Sequence, residues 1–198
     1  GDQRRSGAMI REAMQRLDEG VIGKRTFGRC FYNNKRGATA QGGQKPGAHV
    51  DLDLWQGPAP LRDDVASFVH YDWHWVWHWG GGELANNGVH ALDVVRWGLG
   101  RDYAVKITCN GGRYHYDDVQ ETPDSTIVAY DFGDCGALWD GSSCHPRPQD
   151  KNPFAVIYGE GGSVVLGSRD EYTIYDIKGA EVETKKGTTN DVAHFQNF

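Results

Sequence analysis

The chain has 198 residues, 38% of them hydrophobic and 24% charged, which suits one globular domain with a real core. The 21 Lys and Arg against 27 Asp and Glu leave a net charge of −6. That argues against a nucleic-acid surface, which needs clustered cations to displace counterions.

The N-terminus, GDQRRSGAMI, is no signal peptide and starts without methionine; the expectation is one domain over residues 1–198, cut from a longer protein. A helix is predicted over residues 6–20. Ser6 would cap it, Met9, Ile10, Met14 and Leu17 form one apolar face, and Gly20 ends it. Lys24 to Asn34 alternates enough for a strand. Residues 36–69 carry many Gly and Pro and no period, so a long loop is predicted, and loops of that length are usually functional. Residues 83–98 (ELANNGVHALDVVRWG) make the best helix in the chain. After Gly100 come six short strands at 104–109, 126–132, 137–141, 154–158, 163–166 and 172–175, separated by turns such as FGDCG and GEGG. The C-terminal HFQNF looks like the start of another helix. Strands in succession joined by short turns imply an α+β fold with an open, mostly antiparallel sheet. Cys30, Cys109, Cys135 and Cys144 form no CxxC pair and are expected to be buried free thiols. No stretch is apolar enough to span a membrane. Thiol usage does not fix the compartment; a cytoplasmic rather than an exported protein is expected.

The chemistry concentrates in residues 70–90, HYDWHWVWHWGGGELANNGVH. From 70 to 79 the even positions are His, Asp, His, Val and His, and the odd positions are all aromatic. That alternation predicts an extended segment, with Trp73, Trp75, Trp77 and Trp79 in the core and the histidines on a wet face. Three readings stay open for it. The first is an ordinary amphipathic strand. The second is a sugar site, whose flat rings stack on a pyranose while polar tips bond its hydroxyls. The third is a metal site built from His70, Asp72, His74 and His78. The metal reading is the weakest, because imidazoles four apart on a straight strand do not converge on one ion.

On the following helix, Glu83, Asn86, Asn87, His90 and Asp93 share one arc of about 120° at 100° per residue. A solvated polar face explains that arc without any function. Asn86 and His90, four apart, could also bond one substrate group together, and imidazole suits proton transfer near neutral pH. The glycines 80–82 would let a ligand approach the backbone closely.

Several pieces together resemble the Gfo/Idh/MocA family of NAD(P)-dependent oxidoreductases. They are Gln3-Arg4-Arg5 ahead of a helix and the GVIGK turn, the run DLWQGPAP from Asp53 to Pro60, the segment Gly80 to Asp93, and the late GEGGSVVLG. The second and third are specific. The resemblance is to the family's C-terminal α/β substrate domain alone, dihydrodipicolinate-reductase-like in fold, with the sheet face making a homo-oligomer. No strand–GxGxxG–helix unit occurs in the chain.

The resemblance implies NAD or NADP in the complete family protein, with none expected on this chain alone. It implies a sugar, inositol or glycoside as substrate, handled by a sugar dehydrogenase or a redox-assisted glycosidase. His90 would be the catalytic acid/base, and Asn86, Asn87, His74, His78 and Trp79 would bind substrate. Asn86 stands where the family more often has Asp, and an amide cannot hold the charge that would stabilise a protonated His90. The alternatives are a cofactor-free carbohydrate-binding or assembly module, and a metal-dependent lyase or hydrolase using the 70–78 segment. No nucleic acid or membrane is expected as partner.

Overall fold

The computed structural model describes residues 2–39, 46–189 and 191–197. In chain order the elements are helix α1 (Ala8–Asp18), strand β1 (Arg25–Asn33), helices α2 (Leu52–Gln56) and α3 (Val89–Leu99), strands β2 (Lys106–Gly112), β3 (Ser125–Asp131), β4 (Gly136–Ser142), β5 (Ala155–Gly159), β6 (Gly162–Leu166), β7 (Glu171–Asp176) and β8 (Glu181–Lys186), and helix α4 (Val192–Gln196). The strands form one sheet in the order β2-β3-β4-β1-β5-β6-β7-β8. Every neighbouring pair is antiparallel except β1 with β4. The α+β, mostly antiparallel architecture expected from the sequence is therefore the one found.

A parallel pair cannot be joined by a hairpin. Here the connection from Asn33 to Gly136 holds α2, the aromatic segment, α3 and two strands. Helices α1 and α3 cover one face of the sheet. Gly28 of β1 is bare because a Cβ there would come within 2.5 Å of Val95, and Gly98 is bare because one would meet Ile157 at 2.8 Å and Leu17 at 3.4 Å. The core between helices and sheet holds Leu17, Val95, Leu99, Trp139, Ile157 and Tyr172, all nearly or fully buried. Val164 and Ile174 belong to this core too; α1 lies on their strands.

Ser6 does not cap the first helix. The helix starts at Ala8 after a 3-10 turn over Gln3–Ser6, and the cap comes from Asp170, whose Oδ1 accepts from the amides of Met9 (3.0 Å) and Ile10 (3.2 Å). At the other end Gly20, at φ +82°, donates its amide to Leu17 and closes the helix as expected. The loop predicted over 36–69 contains α2 and a 3-10 turn at Val65–Ser67, and its residues 40–45 lie outside the described residues. Helix α2 begins where Asp51 accepts from Asp53 and Leu54. Strand β8 is not anticipated by the sequence reading: its EVETKK sequence has no apolar alternation, and it is mostly exposed. Cys109 is exposed on edge strand β2, while the other three thiols are buried, so the expectation of four buried thiols fails at that position.

Candidate functional site

Residues 70–79 are not a strand. Asp72–Trp75 forms a 3-10 turn, and the backbone bonds locally: Trp73 N–H to Phe68, Val76 N–H to Trp73, and Gly80 N–H to Val76. The alternation of residue types misleads because burial does not alternate with it. His74, Trp75 and Val76 are buried in succession, whereas Trp73 and Trp77 are 39% and 59% exposed. The turn is tied to the β2–β3 connection. Glu121 and Thr122 donate their amides to the Trp75 carbonyl, and Trp77 N–H reaches the Glu121 carboxylate at 2.9 Å.

The three glycines that follow serve packing. A Cβ on Gly80 would fall 2.5 Å from the His74 backbone, and one on Gly82, itself at φ +66°, would fall 2.7 Å from Thr122. They let the chain fold back over the turn and enter the next helix. That helix opens with a π turn over Leu84–Gly88 before α3, a widening common at functional sites. Between turn and helix lies a cleft of ≈ 730 Å³. It brings together His74, His78, Trp79, Asn86 and His90 of the residues singled out from the sequence. Asn87 is not among its walls. Its amide is spent on Glu83, to which Asn86 also donates. Glu83 is buried, and burial raises its carboxyl pKa against the lowering effect of both amides.

Four cleft residues carry buried polar atoms without a hydrogen-bond partner: Asp2 Oδ1, His74 Nε2, Trp79 Nε1 and His90 Nδ1. The His74 Nδ1–H donates to the Tyr71 carbonyl at 2.5 Å, which leaves Nε2 as an unmatched acceptor, and Trp79 Nε1–H has no acceptor. Burial holds the His74 pKa below the usual histidine value, so its ring is neutral at physiological pH. Such groups cost ~1–3 kcal/mol each if nothing meets them, so they call for a ligand or an ordered water.

The residue that sequence reasoning missed is Asp2. It lines the cleft with its Oδ1 3.5 Å from His90 Nδ1, a charge contact too loose to be a hydrogen bond. Burial and the nearby Asp93 carboxylate push the Asp2 pKa to about 6. Asp93 is itself partly buried, which raises its pKa, but Arg5, at 2.6 and 2.7 Å, and Asp2 together hold it below the usual range. Nothing in the sequence marks Asp2, because it lies far along the chain from the helix it faces. It puts a carboxylate behind His90 that Asn86 cannot supply.

The metal face does not assemble. His74 is committed to Tyr71, and His78 Nε2–H donates to the Pro60 carbonyl at 2.6 Å. Among the described residues no three His, Cys, Asp or Glu side chains gather as ion ligands. No helix there is long and apolar enough to cross a membrane.

Residues 21–195 match the family described as "Oxidoreductase family, C-terminal alpha/beta domain", of the Gfo/Idh/MocA group. The chain belongs to that family. Solved structures agree on the fold. The aldose-aldose oxidoreductase of Caulobacter crescentus, complexed with glycerol, matches at TM-score 0.65 and 15% identity over 98% of this chain and 50% of its own. A super-repressor mutant of Gal80p from Saccharomyces cerevisiae matches at 0.63 and 12% over 100% of this chain and 49% of its own. An Agrobacterium radiobacter oxidoreductase in complex with NAD+, L-tartaric acid and magnesium matches at 0.55 and 16% over 98% and 48%. This chain thus spans about half the length of each. No curated protein matches it.

The starts of α1 and α2 in this Gfo/Idh/MocA domain do not fit the phosphates of a dinucleotide. A helix start binds phosphate through free amides, and here those of α1 are taken by Asp170 and those of α2 by Asp51. What the domain presents is a cleft of aromatic rings, an amide and three imidazoles.

Proposed function

We propose that this chain is the substrate-holding part of an NAD(P)-dependent oxidoreductase that acts on a sugar, inositol or glycoside, the dinucleotide being held elsewhere in the complete protein. One observation carries the reading: His90 and Asn86 face indole and imidazole rings across a cleft. Among its described lining residues Asp2 is the single carboxylate and no Lys or Arg appears. Such a lining suits a neutral, hydroxylated molecule. Trp73 and Trp77 offer exposed flat faces, and Asn86 and the imidazoles of His74 and His78 offer hydrogen-bonding groups. The glycerol and tartrate named with two of the similar structures are small polyhydroxylated molecules as well.

In this reading a bound nicotinamide would supply hydride chemistry at a substrate carbon that carries a hydroxyl when reduced and a carbonyl when oxidised. His90 takes or gives that hydroxyl's proton through its ring, and Asp2 offsets the charge that His90 gains. Trp79, His74, His78 and Asn86 orient the ring of the substrate. Homo-oligomerisation through the uncovered face of the sheet belongs to the same proposal. Phe27 of β1 and Ile127 of β3 lie on that face and are 38% and 51% exposed.

The test is sugar- or inositol-dependent reduction of NAD+ or NADP+ by the complete protein, with and without His90→Gln. Turnover that His90→Gln lowers by roughly 10²- to 10⁴-fold is the expected result. Sugar binding with no turnover by the intact protein would leave a carbohydrate-binding module instead.

A further inference from the structure

The aromatic segment has a second side. Trp73, His78 and Trp79 also form walls of a neighbouring bay of ≈ 610 Å³, closed by Trp55 and the turn from Gln56 to Ala59. The bay is built, not left over. Trp55 meets Trp79 edge-on, with ring centres 6.0 Å apart. Arg62 lies over Trp79 at 5.1 Å and fixes that ring by cation–π attraction. The His78 bond to the Pro60 carbonyl ties the 51–60 loop to the aromatic segment. Buried Gln56 holds the turn by accepting the Arg62 amide at 2.8 Å.

Three observations say what such a bay would take. Among its described lining residues there is no Lys, Arg, Asp or Glu, so an anionic or cationic ligand would find no counter-charge there. Indoles beside an amide and an imidazole match a ring with an apolar C–H face and a rim of hydroxyls. The His90 cleft alone has room for a small ligand, since single-ligand pockets run about 300–1,000 Å³, so one monosaccharide has no need of the second space. The two spaces share Trp73, His78 and Trp79 as walls and so lie side by side.

We propose that the Trp55 bay is a second sugar subsite, which seats the neighbouring pyranose of a disaccharide or longer glycoside whose reacting ring lies in the His90 cleft. This rests on the proposed function above and narrows its substrate class from sugars in general to glycosides.

Binding of cellobiose, maltose and N,N′-diacetylchitobiose to the 198-residue chain, set against the methyl glycoside of each constituent sugar and followed by tryptophan fluorescence and saturation-transfer NMR, tests it. At least one disaccharide is expected to bind about tenfold tighter than its methyl monosaccharide, equivalent to ~1.4 kcal/mol. Trp55→Ala should erase that difference and leave the monosaccharide affinity unchanged. If Trp55→Ala weakens both sugars alike, Trp55→Leu, which keeps bulk and removes the aromatic face, decides. Loss confined to the disaccharide then supports the subsite, and equal loss overturns it. Equal affinity of disaccharide and monosaccharide for the unchanged chain would overturn the second subsite and leave the first standing. Failure of every sugar to bind would overturn both, and the proposed function with them.

Discussion

Replacing Asp2 by Asn should change how stability depends on pH and do little else at low pH. The Asp2 carboxyl has its pKa raised from the ordinary 3.8 to about 6 in the folded chain, by burial first and then by Asp93. The folded state therefore holds this proton more tightly than the unfolded state does. Its contribution is fully present below about pH 4, where the group is protonated in both states, and is lost as pH rises through about 6. Each tenfold in proton affinity is about 1.4 kcal/mol, so the whole span is at most about 3 kcal/mol. Asp2 is only 25% exposed, so solvent screening removes little of this, but interaction with Asp93 shares the proton and makes the figure an upper limit. For a chain of this size that limit corresponds to roughly 6–12 °C in melting temperature. The assay is calorimetric melting of both proteins at intervals from pH 4 to pH 7. The two should melt together near pH 4, and the Asp2→Asn variant should gain steadily on its parent up to about pH 6 and stay ahead above it. A constant offset at all pH values would refute the reasoning, because it would mean that Asp2 is solvated and only its size matters.

Four other outcomes follow from the same geometry. In the complete protein His90→Ala and His90→Gln should both lower turnover by roughly 10²- to 10⁴-fold, the share of one acid/base group, with melting temperature nearly unchanged; a fully active His90→Gln would show that the ring only binds. Gly80→Ala drives a methyl into the His74 backbone and should destabilise the chain by about 1–3 kcal/mol, seen as a lower denaturant midpoint together with loss of sugar binding. Asp170→Ala removes both amide contacts at the start of α1 and should cost about 1–2 kcal/mol by denaturant unfolding, with the cleft intact by sugar titration. Phe27→Glu together with Ile127→Glu should turn an oligomer into a monomer in sedimentation; a parent chain that is already monomeric at high concentration refutes the sheet-face interface.

The sheet is legible in the sequence where one of its faces is buried. In β3 the buried Val128 and Tyr130 alternate with the exposed Ile127 and Ala129, and that period survives in the sequence without any help from tertiary contacts. Helix α3 is legible for the same reason, down to Gly100, which closes it in the left-handed conformation. Strand β8 is not, since a mostly exposed edge strand needs only backbone pairing and leaves no apolar pattern. The aromatic segment misleads because regular spacing of residue types imitates a strand, while its backbone forms local turn bonds to Phe68, Trp73 and Val76 instead of a strand ladder. His90 and Asn86 can be singled out from helical spacing, whereas Asp2 cannot, because its relation to His90 exists only in three dimensions. The same holds for the Trp55 bay, whose walls come from two stretches of chain about twenty residues apart.

The Asp170 cap on α1 has a consequence for the order in which the chain folds. An 11-residue helix with no local cap is too short to hold its shape in water by itself. Its amides at Met9 and Ile10 wait for an acceptor some 160 positions later, and the same residue receives the Gly187 amide through its carbonyl at 2.7 Å. During synthesis α1 thus stays unsecured until the segment that carries Asp170 has emerged. Contacts of such long range are slow to form, so hydrogen exchange during refolding should show the α1 amides protected last, after those of β3 and β4, whose hairpin closes over a few residues.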